Sequence, residues 1–307
     1  MRYGIDLGGT KIEIIALGDG GRELLRERVP TPQSAYEDTI RAMRDLVLAA
    51  DAKLGVKGTL GVGIPGSIST NTGLVKNANS TRLIGHPLDR NLAEATARPV
   101  RVANDANCLA LSEASDGAAA GFDVVFAVIA GTGVGGGAVV GGRVLNGAHG
   151  IAGEWGHNGL PRITPEELAA SQRCYCGREN CIESWCSGPS VSRQYAALTG
   201  RNVPVHEIVL AARGSDADAL TVMEGFYDRF ARSIATLVNV LDPDAIVLGG
   251  GLSNIDALYD ELPPRVEHHA FTTEGRINIV RNKHGDSSGV RGAAWLWRED
   301  EAAAQAR

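Results

Sequence analysis

The sequence predicts an α/β protein built from two similar halves, and three observations carry that reading. The segments RYGIDLGGTKIEIIALGDGGRELLRERV and DVVFAVIAGTGVGGGAVVGGRVLNG share one plan of strand, glycine turn, strand, glycine turn, strand. Between and after them, apolar residues recur at helical spacing. Several strand-like runs also end in glycine clusters, the punctuation expected where strands turn.

Taken in order, the first meander is followed by Pro30-Thr31-Pro32 and then by Ile40, Met43, Leu46, Val47 and Leu54 at helical spacing, after which TLGVGI reads as a strand. PVRVAND reads as a strand entering the helix ANCLALSEA, with Asp105 near the helix start. From Ala219 a helical pattern containing Phe226, Phe230, Ile234, Leu237 and Val238 leads to LDP. DAIVLGGGLSN is then a strand ending in a glycine turn, and SSGVRGAAWLW a closing helix. Residues 124–142 are uncharged but contain seven glycines. Each weakens a helix by roughly 1 kcal/mol relative to alanine, so the stretch reads as two buried strands rather than a membrane span. The repeat places a domain boundary near residue 118. A first domain over 1–118 is expected to be joined by the C-terminal helix 289–307, with a second domain over 119–288.

The chain has 307 residues, of which 44% are hydrophobic, enough to fill the cores of two ordinary domains. A formal charge of −6 without a run of lysines or arginines argues against a nucleic-acid footprint or an anionic membrane surface, which leaves small-molecule partners. The five cysteines are Cys108, Cys174, Cys176, Cys181 and Cys186, and the start MRYGIDLG lacks a basic and then apolar signal region. A cytoplasmic location is expected, where clustered cysteines favour metal over disulfide. Cys108 and Cys186 read as small buried apolar groups.

Cys174, Cys176 and Cys181 follow an isolated Gly156-His157. A lone His157 or Cys181 is ordinarily a packing residue, but the set supplies three thiolates and one imidazole, enough to fill a tetrahedral Zn²⁺. A site with all four positions filled is structural rather than catalytic. Glu154 lies three residues before His157 and Glu183 two after Cys181. The metal would therefore draw both carboxylates toward one cavity suited to a polyol.

In Asp6-Leu7-Gly8-Gly9-Thr10-Lys11, glycines allow backbone N–H groups to approach an anion, Asp6 could hold a hydrated Mg²⁺, and Thr10 and Lys11 could donate to phosphate oxygens. The residues that follow continue as a strand, so this is no Walker A loop, and a tight hairpin turn explains the glycines equally well. Gly131-Thr132-Gly133 occupies the equivalent turn of the second half, and Gly249-Gly250-Gly251 ends a later strand. Three such turns suit one nucleotide lying between domains, although an ordinary strand-to-helix loop accounts for the third by itself. Asp105 admits two readings as well. It is an N-cap, or a carboxylate that orients a substrate hydroxyl and accepts its proton during phosphoryl transfer, and one side chain can serve both.

DLGGTK, GIPGSIS, KNANST, ANDANC, GTGVGGG, GEWGHNGLP, CYCGRENCIE, LDPDAIVLGGG and KHGDSSGVRGAAWLW together resemble the ROK family of bacterial sugar kinases, nearest its fructokinase (mannofructokinase) branch, over almost the whole chain. The resemblance implies a two-domain hexokinase/actin-like fold, a duplicated ribonuclease H-like α/β architecture with an interdomain cleft. It implies Asp105 as catalytic base, with Asn79, Asn104, Glu154, His157 and Glu183 holding sugar hydroxyls. His157 would bind zinc through one ring nitrogen, with Cys174, Cys176 and Cys181, and present the other to the sugar. Asp6, Gly8, Gly9, Thr10 and Lys11 would contact the ATP phosphates and Mg²⁺, assisted by Gly131, Thr132 and Gly133, with Gly250 near the adenosine.

Two positions depart from the family pattern. Asn180 stands where many relatives have glycine before the last cysteine, and asparagine tolerates the left-handed conformation that glycine would supply. Trp155 replaces a small aliphatic residue of glucokinase-like members, which puts a simple transfer of glucose specificity in doubt.

The expected activity is phosphorylation of D-fructose to fructose 6-phosphate, with glucose, mannose or N-acetylglucosamine as alternative sugars. The resemblance also suggests a homodimer. ROK-type repressors carry a helix-turn-helix domain ahead of the same core, whereas here the phosphate loop starts at Asp6. The expectation is therefore an enzyme rather than a sugar-responsive regulator.

Overall fold

The computed structural model describes residues 1–78, 80–275, 277–285 and 288–305. The chain divides into two units, one of Met1–Gly121, Gly137–Ala152 and Lys283–Arg307, the other of Phe122–Gly136 and Gly153–Asn282. Gly137–Ala152, which the repeat alone leaves in the second half, groups with the first unit.

Strands β1 (Arg2–Leu7), β2 (Lys11–Leu17) and β3 (Glu23–Pro30) form the first meander. They are followed by α1 (Tyr36–Leu54), β4 (Thr59–Ile64), the short pair β5 (Ser67–Ile68) and β6 (Val75–Lys76), α2 (Leu88–Thr96), β7 (Val100–Asn104) and α3 (Asp105–Ser115). The second meander is β8 (Val124–Ala130), β9 (Val134–Val140) and β10 (Arg143–Val144). After it come α4 (Pro165–Ala169), α5 (Glu183–Cys186), α6 (Gly188–Thr199), α7 (Val205–Arg213) and α8 (Ala217–Leu241). The chain ends with β11 (Ala245–Gly249), α9 (Leu258–His269), β12 (Ile279–Arg281), α10 (Ser288–Trp295) and α11 (Glu299–Gln305).

The two sheets run β3-β2-β1-β4-β7 and β10-β9-β8-β11-β12. In the first, β4 lies parallel to β1 and β7 parallel to β4; in the second, β11 lies parallel to β8 and β12 parallel to β11. The repeat in sequence is therefore a repeat of topology. Residues 124–142 resolve into β8 and β9, and among the described residues no helix is long and apolar enough to cross a membrane.

Helix α1 buries Tyr36, Ile40, Met43, Val47 and Ala50, a stripe at helical spacing, against the apolar residues of β1, β2 and β4. It stops at Gly55, whose φ of 66° closes the last turn. Helix α10 lies backbone to backbone on β4 and α3. A Cβ at Gly61 would fall 1.8 Å from the Ala293 carbonyl oxygen, and one at Gly292 would fall 1.7 Å from that of Cys108. Both contacts need glycine. Beside them the fully buried Glu113 carboxylate accepts hydrogen bonds from Ala118 N (2.8 Å), Lys283 N (2.9 Å), His284 N (3.1 Å) and Ser288 Oγ (2.9 Å), which fixes the start of α10. In the second unit α8 starts where Asp216 accepts from Ala219 N at 2.8 Å. That helix buries Phe226, Phe230, Ile234, Leu237 and Val238, the residues its period predicts.

Candidate active site

In the first unit, parallel pairing sets Asp6 opposite Gly63, and Ile64 opposite Asn104. The carboxyl ends of β1, β4 and β7 therefore lie side by side, the edge at which open α/β sheets bind ligands. Asp6 stands at that end of β1, and Asp105 is the first residue after β7. Burial, then the charge of Asp105 and that of Glu13, push Asp6 up to about 6, with Lys11 opposing them. The cap of α3 is Asn104 rather than Asp105. Asn104 Oδ1 accepts from Ala106 N at 2.9 Å while its amide nitrogen donates to Gly66 O at 3.2 Å. Asp105 occupies the first helical turn and also accepts from Ala106 N, at 2.8 Å.

The turn Gly8-Gly9-Thr10 has its carbonyls committed. Thr31 Oγ1 donates to Gly8 O (2.7 Å), Gln33 Nε2 to Gly9 O (3.0 Å) and Thr31 N to Thr10 O (3.0 Å). The Gly8 amide is likewise spent on Lys11 O at 3.0 Å, so an anion would fall to the amides of Gly9 and Thr10. Lys11, half exposed, lies 3.8 Å from Glu13. Thr31 and Gln33 were invisible as site residues in the sequence. Their signal is the ladder register, which pairs Lys11 with Pro30 and so sets the next residue beside Thr10. Asn79 lies outside the described residues.

In the second unit, His157, Cys174, Cys176 and Cys181 place one donor atom each within 4.8 Å of the others. Cys174 Sγ is 3.6 Å from His157 Nδ1, and Cys176 Sγ is 3.6 Å from Cys181 Sγ. Bonds of about 2.3 Å to sulfur and 2.0–2.1 Å to nitrogen put the corners of a tetrahedron about 3.5–3.8 Å apart, so the four fit one metal ion. The loop is tied by Cys174 N to Arg178 O (2.8 Å), Leu160 N to Asn180 O (2.9 Å) and Ile182 N to Asn158 O (2.9 Å). Asn180 adopts φ 63°, the left-handed conformation expected of it, and its Oδ1 accepts from Trp185 Nε1 at 2.7 Å. Burial raises Cys174 and pushes Cys181 up to about 12, whereas the Arg178 N–H lowers the exposed Cys176. A bound cation would offset the first two shifts.

Glu183 opens α5. Its Oε2 accepts from Val134 N at 2.9 Å and its Oε1 lies 3.7 Å from Cys174 Sγ, so it joins the Cys/His loop to the second glycine turn. A Cβ at Gly133 would sit 2.6 Å from Glu183 Oε2, so a larger residue there would displace that carboxylate. Gly131 N bonds Gly133 O (2.9 Å) within the turn, and Gly131 O accepts from Gly188 N (2.8 Å). The third turn adjoins the second, for a Cβ on Gly250, at φ 78°, would be 2.5 Å from Ala130 O. Next to it, a cavity of about 430 Å³ is lined by Val205, His206 and Leu210 of α7 and by Gly251, Asn254 and Ile255.

Glu154 is exposed and His157 half-buried. The second nitrogen of His157, Nε2, lies 3.0 Å from the hydroxyl of Tyr175, a neighbour the sequence did not reveal. Trp155, one of the two departures from the family pattern, is turned inward. It is 4% exposed, donates from Nε1 to Gly135 O at 2.8 Å and packs against Phe126 and Phe230. It is a core residue.

The ROK family profile matches residues 2–300. An N-acetyl-D-glucosamine kinase of Pectobacterium atrosepticum is 40% identical over 299 residues, covering 96% of this chain and 98% of its own. Among solved structures, the ROK hexokinase of Thermus thermophilus gives a TM-score of 0.85 at 32% identity, covering 96% of this chain and 97% of that one. A ROK family glucokinase from Streptomyces griseus, solved with glucose and AMPPNP, gives 0.74 at 27% identity, covering 97% and 99%. With the family matched almost end to end and the fold shared with its solved structures, this chain belongs to the ROK family and has its two-domain, hexokinase-like α/β architecture.

Proposed function

We propose that the protein is an ATP-dependent hexose kinase acting on the sugar's primary 6-hydroxyl. The observation that carries the reading is the placement of Asp6 and Asp105 at the carboxyl ends of β1 and β7, on either side of β4 in one sheet, with Asp6 beside a glycine turn whose carbonyls are all taken by Thr31 and Gln33. Asp105 orients the 6-hydroxyl and accepts its proton as the new O–P bond forms and the bond from the γ-phosphorus to ADP breaks. Such a base contributes about 10²–10⁴-fold. Gly9, Thr10 and Lys11, with Thr132 and its flanking glycines, hold phosphate oxygens. Asp6 holds the hydrated Mg²⁺ that, when bound, neutralises phosphate charge. The cavity beside Gly250 takes the adenosine.

Asn104, Glu154, His157 and Glu183 hold sugar hydroxyls, as does Asn79 by resemblance. Zn²⁺ is the ion that best suits three thiolates and an imidazole with no ligand position left open. Its part is to fix the loop that carries His157 and to keep Glu183 beside it. Family resemblance further supports a cytoplasmic homodimer.

N-acetyl-D-glucosamine is the first sugar to consider, because relatives 38–40% identical over 98–99% of their length are N-acetyl-D-glucosamine kinases. D-fructose is the second reading, favoured by the motif set from DLGGTK to KHGDSSGVRGAAWLW. ADP release measured side by side with N-acetylglucosamine, fructose, mannose and glucose tests both. Saturable turnover on at least one is expected, and the preferred sugar decides between the two readings. Absence of turnover on all four would overturn the kinase assignment.

A further inference from the structure

His157 has two ring nitrogens with different neighbours. Nδ1 faces the Cys174 sulfur at 3.6 Å, on the side of the metal ligands, and Nε2 meets the Tyr175 hydroxyl at 3.0 Å. The two rings stand edge to face, 5.2 Å apart at 81°. The rest of Tyr175 is in solvent, since the residue is 82% exposed although it sits in sequence between two cysteines of the ligand set. Among the described residues the tyrosine is thus held only by its hydroxyl and by one ring contact, both with His157, and a side-chain rotation suffices to release it.

The protons on this pair follow from the chemistry of the loop. With Nδ1 committed to a metal, a neutral imidazole carries its one proton on Nε2 and donates it, so the tyrosine oxygen accepts. The tyrosine O–H is then free to donate in turn. Glu183 belongs to the same cluster, its Oε1 lying 3.7 Å from Cys174 Sγ. An oxygen that accepts from His157 Nε2 and keeps its own O–H free to donate has the bonding pattern of a sugar hydroxyl in this site.

We propose that Tyr175 and the sugar compete for His157 Nε2, the tyrosine hydroxyl being an internal stand-in for a sugar hydroxyl. The inference rests on the hexose-kinase reading, and within it on His157 as a sugar ligand. It makes Tyr175 a selectivity residue. A sugar that offers His157 no better hydroxyl than the attached phenol binds weakly, and one that places a hydroxyl there while reaching Glu183 displaces it.

The Tyr175→Phe variant keeps the ring and its edge-to-face contact and removes only the competing oxygen. Its dissociation constant for the preferred sugar, measured by calorimetry, is expected to fall about two- to tenfold, the effect of one ordinary hydrogen bond. KM should fall in parallel without loss of kcat, and metal content per chain, measured by elemental analysis, should equal that of the wild type. Unchanged or weaker sugar binding at full metal content overturns the proposal. Loss of metal also overturns it, by showing that the hydroxyl supports the loop instead. If the wild type itself binds and phosphorylates none of the four sugars, the hexose-kinase reading fails first and takes the inference with it.

Discussion

Glu183 Oε2 accepts a hydrogen bond from Val134 N at 2.9 Å, and a Cβ on the preceding Gly133 would come within 2.6 Å of the same oxygen, so a larger residue there displaces that carboxylate. One carboxylate therefore couples a turn proposed for phosphate to a loop proposed for sugar. Gly133→Ala is expected to push Glu183 off the Val134 amide, at the cost of that hydrogen bond, about 0.5–1.5 kcal/mol. Sugar KM should rise at least as strongly as ATP KM, and Tm should drop. An alanine variant with wild-type sugar KM would show that Glu183 does not hold the sugar.

Asp105 is not needed as the cap of α3, since Asn104 already accepts from Ala106 N at 2.9 Å. Asp105→Asn should therefore fold with a Tm near that of the wild type and still bind sugar, while kcat falls by about 10²–10⁴-fold. Calorimetric sugar binding combined with turnover separates the two effects. Retention of the wild-type rate would remove Asp105 from the role of base.

The fold was legible in the sequence because a repeated meander encodes the same strand order twice, and because α1, α8 and α10 keep a helical period. The convergence of His157, Cys174, Cys176 and Cys181 was legible because thiol spacing is local, and Asn180 met the conformation its residue type suggested. What was not legible depends on contacts between segments. The cap of α3 falls on Asn104 because its side chain also reaches Gly66 O, the product of a β4-to-β7 register. Thr31 and Gln33 serve the first turn through the β2–β3 ladder, and Tyr175 reaches His157 across an 18-residue separation. The burial of Trp155 against Phe126 and Phe230 likewise depends on residues distant in sequence.

Removing the metal tests whether the loop is a scaffold. Cys176 is the exposed member of the set, so Cys176→Ser alters a ligand without opening a buried cavity. The variant, and wild type treated with a chelator, should lose about one metal equivalent per chain and lower sugar affinity severalfold, with ATP affinity nearly intact. Re-addition of Zn²⁺ should restore the chelated wild type. Full sugar affinity in protein shown by elemental analysis to be metal-free would refute the scaffold role.

Asp6 gives the protein a pH dependence whose sign is fixed by its surroundings. Its carboxyl ionises near the ordinary 3.8 in the unfolded chain and at about 6 in the folded one, because burial and then Asp105 and Glu13 disfavour its charge. Between those values the folded chain binds a proton that the unfolded chain has released, so this group's contribution to stability falls as pH rises through the window. Above about pH 6 the penalty is complete. Asp6→Asn removes the ionisation, so the variant should melt several degrees higher than the wild type at pH 7.5, and the gap should narrow steadily toward pH 4.5. Adding Mg²⁺ and ATP at pH 7.5 should raise the wild-type Tm more than that of the variant, because only the carboxylate can hold the cation. A gap that stays constant across the pH range would mean that Asp6 is not held in a site that disfavours its charge, and an equal rise with Mg²⁺ and ATP would remove it from the metal site.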